Sequence, residues 1–410
     1  MSEVATREPQ LRFPEFSDSL IKGALGDYAL IKRGAGSQYI EYSKDSKDSI
    51  RLIRIGDFLG GDAVFVRLTN AIQRFLLDEG DILIAGTGAT AGITFLVPTK
   101  FVGMAYSYNA PKIKVHKDNV SFFYQYLISP KIKIQQIRLF TGNAQPFLDT
   151  NAIKGFSIFK PPLQEQQKIA AFLTAVDNKI EQLSKKQALL GEYKKGLMQK
   201  IFSQAIRFKA DDGSDFPDWE DGLLNTLIDN SRKIRYGIVQ PGKYDKNGKY
   251  LIRGKDYSNG WEIPSEFFKV SDAIEKKYSK TRVKKGDVIV CIVGSVGNVM
   301  VIPGWLDGAN ITQTTARIAP DKNKLNNQYL YFYFQSLVGR NMIHKHTRVG
   351  TRPGLNIEDV EKFSILLPSL LEQAKIANFL SSIDNKIEQV GKQLDESKQF
   401  KKALLQQMFV

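Results

Sequence analysis

Between residues 163 and 202 apolar side chains return at alternating intervals of four and three. Positions 169, 173, 176, 180, 183, 187, 190, 194, 197 and 201 read Ile, Leu, Val, Ile, Leu, Gln, Leu, Lys, Leu and Ile. The mean interval of 3.5 is that of a helix burying a narrow stripe against a second helix. The pattern recurs at positions 376 to 408, which read Ile, Leu, Ile, Ile, Val, Leu, Ser, Lys, Leu and Met. Leu163–Phe202 and Leu370–Phe409 align without a gap, half their positions are identical, and both carry Asp-Asn-Lys-Ile-Glu-Gln (Asp177–Gln182 and Asp384–Gln389). Each segment predicts a helix of roughly 60 Å. The simplest partner for each is the other, and a two-fold relation between the halves makes the pair antiparallel. The expected seam is Ile169, Leu173, Val176, Ile180, Leu183 and Leu190 against Ile376, Leu380, Ile383, Ile387, Val390 and Leu394. Lys194 and Lys401 share one seam position, where a polar group costs stability and can fix register. Gly191, Gly196 and Gly391 weaken the helices locally.

The repeat extends upstream. Phe156-Ser157-Ile158 matches Phe363-Ser364-Ile365, and Pro146 and Leu148 match Pro353 and Leu355. Further up, Phe13–Phe16 echoes Phe216–Trp219, Ile53-Arg54 with Asp57 echoes Ile252-Arg253 with Asp256, and Gly80–Ile84 echoes Gly286–Val290. The chain therefore reads as head 1 (1–160), a central helix (161–205), head 2 (206–367) and a C-terminal helix (368–410), with pseudo-two-fold symmetry between halves. In each head, short β-branched runs bounded by Gly or Pro predict strands at Asp81–Ala85, Ile93–Val97, Lys112–Val115, Val288–Val293, Val299–Ile302 and Ala316–Ile318. A helical aromatic stretch follows at Ser121–Ile128 and Asn327–Val338, with aromatics on both faces, which reads as core. The expected class is α+β.

Composition adds two constraints. A chain of 410 residues exceeds one ordinary core. A net charge of +15 suits a partner rich in phosphate, because each Lys or Arg on a phosphate releases a counterion. No apolar run is long enough to cross a bilayer, the start resembles no secretory signal, and the lone Cys291 sits in a strand-like run as a small core residue; a reducing cytoplasm fits.

Catalytic chemistry is not expected. Gly86-Thr-Gly88-Ala-Thr-Ala91 resembles a dinucleotide fingerprint, but strand rather than helix follows it, so it reads as a turn between strands. Lys160-Pro161-Pro162-Leu163 lacks the acceptor and aromatic that an amino-methyltransferase motif needs. His116, His344 and His346 do not group at zinc spacing, and no metal site is expected. His344 and His346 lie among Lys345 and Arg348, where facing a phosphate and plain exposure are both open readings.

Candidate binding residues cluster in loops that correspond between halves. They are Lys32, Arg33, Arg54, Thr87, Thr90, Tyr108, Asn109, Arg138, Asn143 and Gln145 in head 1, and Arg232, Arg235, Tyr236, Gln240, Arg253, Ser295, Asn310, Thr312, Gln313, Arg348, Thr351 and Arg352 in head 2. Arg and Gln can contact guanine and adenine edges in the major groove through two hydrogen bonds. Gln145 stands against Arg352 in the late loops, so the halves differ where readout would differ. A two-headed scaffold for protein partners remains an alternative, distinguished by the salt dependence of duplex binding.

Both long helices begin with Pro-x-Leu-x-Glu-Gln-x-x-Ile: Pro161, Leu163, Glu165, Gln166 and Ile169, then Pro368, Leu370, Glu372, Gln373 and Ile376. With the order head, helix, head, helix, the whole chain resembles the specificity subunit of type I restriction-modification systems. The resemblance implies two tandem α+β target recognition domains, each reading half of a split double-stranded DNA site, with the helix pair setting the unread spacer. It implies two modification subunits, which carry S-adenosylmethionine and methylate a flipped adenine, and restriction subunits with ATP- and Mg-dependent translocase and nuclease activity. This chain would hold no cofactor, and unlike heads imply an asymmetric site.

Overall fold

The computed structural model describes residues 8–43, 48–140, 145–258, 260–348, 350 and 353–410. It divides into two compact units, residues 1–184 with 391–410, and residues 185–390. The longer helices are α1 (Val120–Leu127), α2 (Pro130–Phe140), α3 (Leu163–Phe202), α4 (Asn327–Gln335), α5 (Leu337–His346) and α6 (Leu370–Gln407). Each unit is thus a head plus a length of both long helices.

The strands of the first unit are β1 (Ile21–Ala24), β2 (Ala29–Lys32), β3 (Ser49–Ile53), β4 (Phe65–Arg67), β5 (Ile82–Ile84), β6 (Thr94–Leu96), β7 (Ala105–Tyr106), β8 (Lys112–Val115) and β9 (Ser157–Lys160). They form an antiparallel ribbon β1-β9, an antiparallel sheet β2-β8-β5-β6, and a sheet β4-β3-β7 in which β3 and β7 run parallel. The strands of the second unit are β10 (Glu220–Leu223), β11 (Arg235–Tyr236), β12 (Lys249–Ile252), β13 (Phe268–Val270), β14 (Val288–Cys291), β15 (Val299–Val301), β16 (Asn310–Ile311), β17 (Thr315–Ile318) and β18 (Ser364–Leu367). Their sheets are β10-β18, β11-β17-β14-β15 and β13-β12-β16, again with one parallel pair, β12 and β16. Shifting every index by nine converts one unit into the other, so the duplication covers the whole head.

The runs with glycine boundaries became strands because their side chains are buried on both faces: Ile82, Leu83, Ile84 and Val288–Cys291 are 0–2 % exposed. The turn after β5 connects it antiparallel to β6, so the dinucleotide-like glycines close a hairpin. The Gly-Asp before each central strand is turn chemistry. Asp81 accepts from the Asp78 amide at 2.7 Å, and Asp287 from the Lys284 amide at 2.7 Å. The aromatic stretches are core helices: Phe122, Phe123 and Tyr126 in α1, and Tyr329, Phe332, Tyr333 and Phe334 in α4, are at most 2 % exposed. Tyr126 donates to the Val410 carbonyl at 2.8 Å, and burial pushes its phenol up to about 12. Cys291 is buried and donates to the Val293 carbonyl; burial also raises its thiol, as expected of a core residue.

Every named seam residue is buried or half-buried. In the first unit Ile169, Ala170 and Leu173 of α3 share a core with Leu404, Leu405 and Met408, while Asp177 meets Lys401 at 2.5 Å. In the second, Met198, Ile201 and Phe202 share a core with Ile376, Leu380 and Ile383, while Lys194 meets Asp384 at 2.6 Å. Rising numbers on one helix face falling numbers on the other, so the pairing is antiparallel in both units. The seam lysines are therefore paired, each with the first residue of the other helix's Asp-Asn-Lys-Ile-Glu-Gln. Near the helix N-termini the stripe packs on the head as well as on its helical partner. Helix-on-helix and helix-on-head packing thus share one seam.

The Glu-Gln at each helix start ties helix to head. Glu165, 1 % exposed, accepts from Arg12 Nε and Nη2 at 2.7 Å each, and the carboxylate holds the guanidinium above its ordinary pKa. Gln166 bonds the Asn119 amide, Asp118 and the Pro161 carbonyl. Glu372, fully buried, accepts from Arg207 and from Trp219 Nε1, and Gln373 bonds the Asn326 amide and the Pro368 carbonyl. These contacts correct one alignment. The Leu11 amide donates to the Gln407 carbonyl and the Ile206 amide to the Lys200 carbonyl, both at 3.1 Å. Phe13 packs edge-on to Phe172, as Phe208 does to Phe379. Leu11-Arg12-Phe13 therefore corresponds to Ile206-Arg207-Phe208, rather than Phe13–Phe16 to Phe216–Trp219.

Candidate nucleic-acid interface

In the first head a cleft of about 650 Å³ opens between the two sheets, lined by Gln38, Arg54, Thr87, Thr90, Tyr108 and Asn109 among others. The backbone builds it. Gly34 passes so close to strand β7 that a Cβ would lie 2.2 Å from the Tyr106 carbonyl oxygen, so only glycine fits. Ala35 then bridges Ser107, and the Tyr108 amide donates to the Ala35 carbonyl at 2.9 Å. This puts Tyr108 beside Arg33, whose guanidinium lies 4.4 Å from the Tyr108 ring centre and 5.3 Å from Phe147. Gln145, exposed, lies against the Gly88 turn. Arg54 donates to the Asp62 carbonyl and keeps 40 % of its side chain exposed, while buried Asp57 accepts from the Arg54 amide and from Arg51. Seven sequence candidates thus meet: Arg33, Arg54, Thr87, Thr90, Tyr108, Asn109 and Gln145. Lys32 and Arg138 are exposed but do not line the cleft. Asn143 lies outside the described residues, as do Thr351 and Arg352.

The second head repeats the backbone and changes the side chains. A Cβ on Gly237 would lie 1.7 Å from the Ile311 carbonyl oxygen. Ile238 bridges Thr312, and the Gln313 amide donates to the Ile238 carbonyl at 3.0 Å. Tyr236 therefore stands where head 1 has Arg33, and Gln313 where it has Tyr108; both are exposed, as is Gln240. Arg235 opens into a separate cleft of about 650 Å³ with Lys233, Lys277, Lys280 and Glu361. Ser295 and Arg348 line another of about 640 Å³.

Four head 2 candidates are corrected. Arg232 grips Asp287 through two bonds of 2.6 and 2.5 Å. Arg253 donates to Asp256 and to the Glu266 carbonyl, closing an Arg-x-x-Asp turn. Asn310 is fully buried in β16, and Thr312, 9 % exposed, bonds the Thr314 hydroxyl. As placed, these four serve the fold. The sequence reading missed Arg317, buried on strand β17. It donates to the Lys233, Lys280 and Arg282 carbonyls, and burial depresses its pKa. Its counterpart Lys112 meets Asp81 at 2.9 Å. The signal was there: Lys112 and Arg317 at matching places in equivalent strands. His346 is also structural, bonding the Met342 carbonyl and packing on Phe363.

Among the described residues no group of His, Cys, Asp and Glu could hold a metal, and no helix is long and apolar enough to cross a membrane. What the clefts offer is donors, acceptors and stacking surfaces in a basic chain, which suits recognition of base edges and phosphates.

A family model described as the type I restriction modification DNA specificity domain matches residues 24–190 and 228–397. The chain belongs to that family. Its two matches coincide with the two halves of the repeat, and its role is recognition within a restriction enzyme rather than catalysis. The chain is similar to the type I restriction enzyme EcoBI specificity subunit of Escherichia coli, at 25 % identity over 93 % of this chain and 82 % of that protein. It is 27 % identical to the MjaVIII specificity subunit of Methanocaldococcus jannaschii, over 83 % and 80 %. In fold it resembles the crystal structure of the type I S subunit from M. genitalium, with a TM-score of 0.59, 14 % identity, and 98 % and 99 % of the chains covered. A chain from a type I system solved in the context of complex assembly and conformational transition gives 0.57 at 20 % identity, over 94 % and 96 %.

Proposed function

We propose that this specificity subunit reads an asymmetric, two-part duplex DNA site, one part with each head, and positions two modification subunits and the restriction subunits around it. The observation that carries the reading is the pairing of one backbone with two chemistries. Tyr108 and Gln313 hang from the same inter-strand hydrogen bond, while Arg33 follows β2 and Tyr236 ends its counterpart β11. The stacked Arg33 and Tyr108 present different donors and acceptors to a base edge from Tyr236 and Gln313 at the equivalent positions. S-adenosylmethionine, ATP and Mg belong to the partner subunits, and a cytoplasmic setting fits that assembly. The segments 161–205 and 368–410 act as the spacer-setting helices between recognition domains 1–160 and 206–367.

Tyr108→Ala should relax base preference in one half-site and Gln313→Ala in the other, read by sequencing methylated adenines in a host carrying each variant. Loss of preference in both halves from either substitution would overturn the assignment of one head to each half. A protein-binding scaffold without DNA specificity would leave the methylation pattern unchanged.

A further inference from the structure

On and just beyond helix α5 stands a row of three basic side chains that the paired head carries only in part. Arg340 and His344 lie one turn apart on one face of the helix, and Arg348 follows two residues past its end. Their row lines the cleft of about 640 Å³, facing the Gly294–Asn298 turn with Ser295 exposed in it. Buried Ile343 anchors the helix beneath this turn, packing 3.4 Å from where a Cβ on Gly297 would lie. Head 1 has the same arrangement: Gly92, also at positive φ, packs under Gln136, which donates to its carbonyl at 3.1 Å. There, however, the positions matching Arg340 and His344 are Lys133 and Ile137. Arg348 falls opposite Thr141, so head 1 keeps a basic residue only at the first of the three positions and the full basic row belongs to head 2.

Two ordinary explanations fall short. Basic side chains in a last helical turn offset the negative end of the helix dipole, which accounts for His344, Lys345 and His346. It does not account for Arg340, in the first half of α5, or Arg348, beyond its end. Nor is the row neutralised within the protein. Among the described residues Arg340 and His344 have no acidic partner, and Arg348 approaches Asp359 only at 3.8 Å with 69 % of its side chain exposed. The head 1 equivalent of the facing turn, Thr87–Thr90, lines the reading cleft. The row thus flanks the surface where the duplex is expected.

We propose that Arg340, His344 and Arg348 form a phosphate clamp that holds the DNA backbone beside the second half-site. The clamp rests on the reading of the heads as duplex binders. Arg presents a planar fork of N–H groups that matches two phosphate oxygens, and the Ser295 hydroxyl supplies a shorter-range donor. Contacts of this kind set register and affinity but carry no base information. Head 2 would then bind with a stronger electrostatic contribution than head 1.

The test titrates the full chain, alone and as Arg340→Ala/Arg348→Ala, with a duplex carrying the methylated site and with duplexes altered in either half. Affinity is followed between about 50 and 200 mM salt. Each lost phosphate contact should lower the steepness of log affinity against log salt by about 1, so the double variant should lose about 2. Ranking of the altered duplexes should stay as in the unmodified chain. Arg340→Lys should retain the steepness, which a packing role for the guanidinium would not allow. An unchanged steepness overturns the clamp while leaving DNA recognition standing. So does a changed ranking, which would make these residues base readers. If the unmodified chain shows no salt-dependent duplex binding, both the clamp and the reading beneath it fail.

Discussion

Glu372→Ala tests whether the Glu-Gln motif at the helix start is a tie between helix and head. The carboxylate is fully buried and accepts three bonds: Arg207 Nε at 3.2 Å, Arg207 Nη2 at 2.8 Å and Trp219 Nε1 at 3.1 Å. Removing one partner of a buried ion pair costs about 3–5 kcal/mol, because the remaining charge loses its compensation. Here Arg207 keeps 25 % of its side chain exposed and also donates to the Phe216 and Pro217 carbonyls. It can therefore rehydrate in part, which places the expected cost at the low end, about 3 kcal/mol. The indole N–H left without an acceptor adds about 1 kcal/mol. Urea unfolding followed by tryptophan fluorescence suits the question, since Trp219, Trp261 and Trp305 all belong to the second unit. In a double-mutant cycle, Arg207→Ala after Glu372→Ala should cost much less than Arg207→Ala alone, with a coupling of about 2 kcal/mol. Glu372→Gln should fall between, because an amide can accept one bond but sets its own N–H against a donor. A cost below about 1 kcal/mol for Glu372→Ala, or additive single effects, would refute the tie.

Reversing the seam pair, Lys194→Asp with Asp384→Lys, should recover stability lost by either single change, measured by thermal unfolding; failure to recover would mean the lysine acts through its stem rather than its charge. Gly34→Ala and Gly237→Ala should each destabilise by more than about 1 kcal/mol, because the added Cβ meets a strand carbonyl at 2.2 Å and 1.7 Å; tolerance of both would contradict the close approach. Deleting seven residues from α3 should change the preferred spacer between half-sites and leave the half-sites alone, read from a spacer library. Tyr126, fully buried and raised to about 12 from 10, binds its proton more tightly folded than unfolded, so its contribution holds below pH 10 and is lost as pH climbs from about 10 to about 12. Tyr126→Phe should flatten stability over that alkaline window; an unchanged profile would place the sensitivity elsewhere.

The long helices were legible because a 3.5-residue period over forty positions has few other structural explanations. Strands β5, β6, β8, β14, β15 and β17 were legible because short β-branched runs bounded by Gly or Pro leave little choice. The parallel pairing of β3 with β7 was not, because nothing in two short runs separated by a long loop encodes which edge they share. The site was legible in part. Polar loop residues such as Tyr108, Gln145 and Gln313 were placed correctly at exposed turns. Arg232 and Arg253 were misassigned because an arginine held by a carboxylate and one held out for a phosphate look alike until the partner is located. Their partners Asp287 and Asp256 stood in motifs already seen to repeat, and that repetition was the clue. Asn310 looked like a loop residue and proved to be the buried end of a strand.

Duplication supplies an internal control for sorting fold from recognition. Gly34 and Gly237, Asp57 and Asp256, Asp81 and Asp287, and Glu165 and Glu372 recur in both halves, and each has a geometric task that another residue would fail. A residue whose work is to close a turn or tie a helix must stay the same if both heads keep one backbone. A residue whose work is to meet a base edge must differ if the half-sites differ. Arg33 against Tyr236 and Tyr108 against Gln313 satisfy the second condition at positions the backbone has made equivalent. Arg232 and Arg253 are each held by an aspartate that recurs, Asp287 and Asp256, and that ion pair gives both a task in the fold.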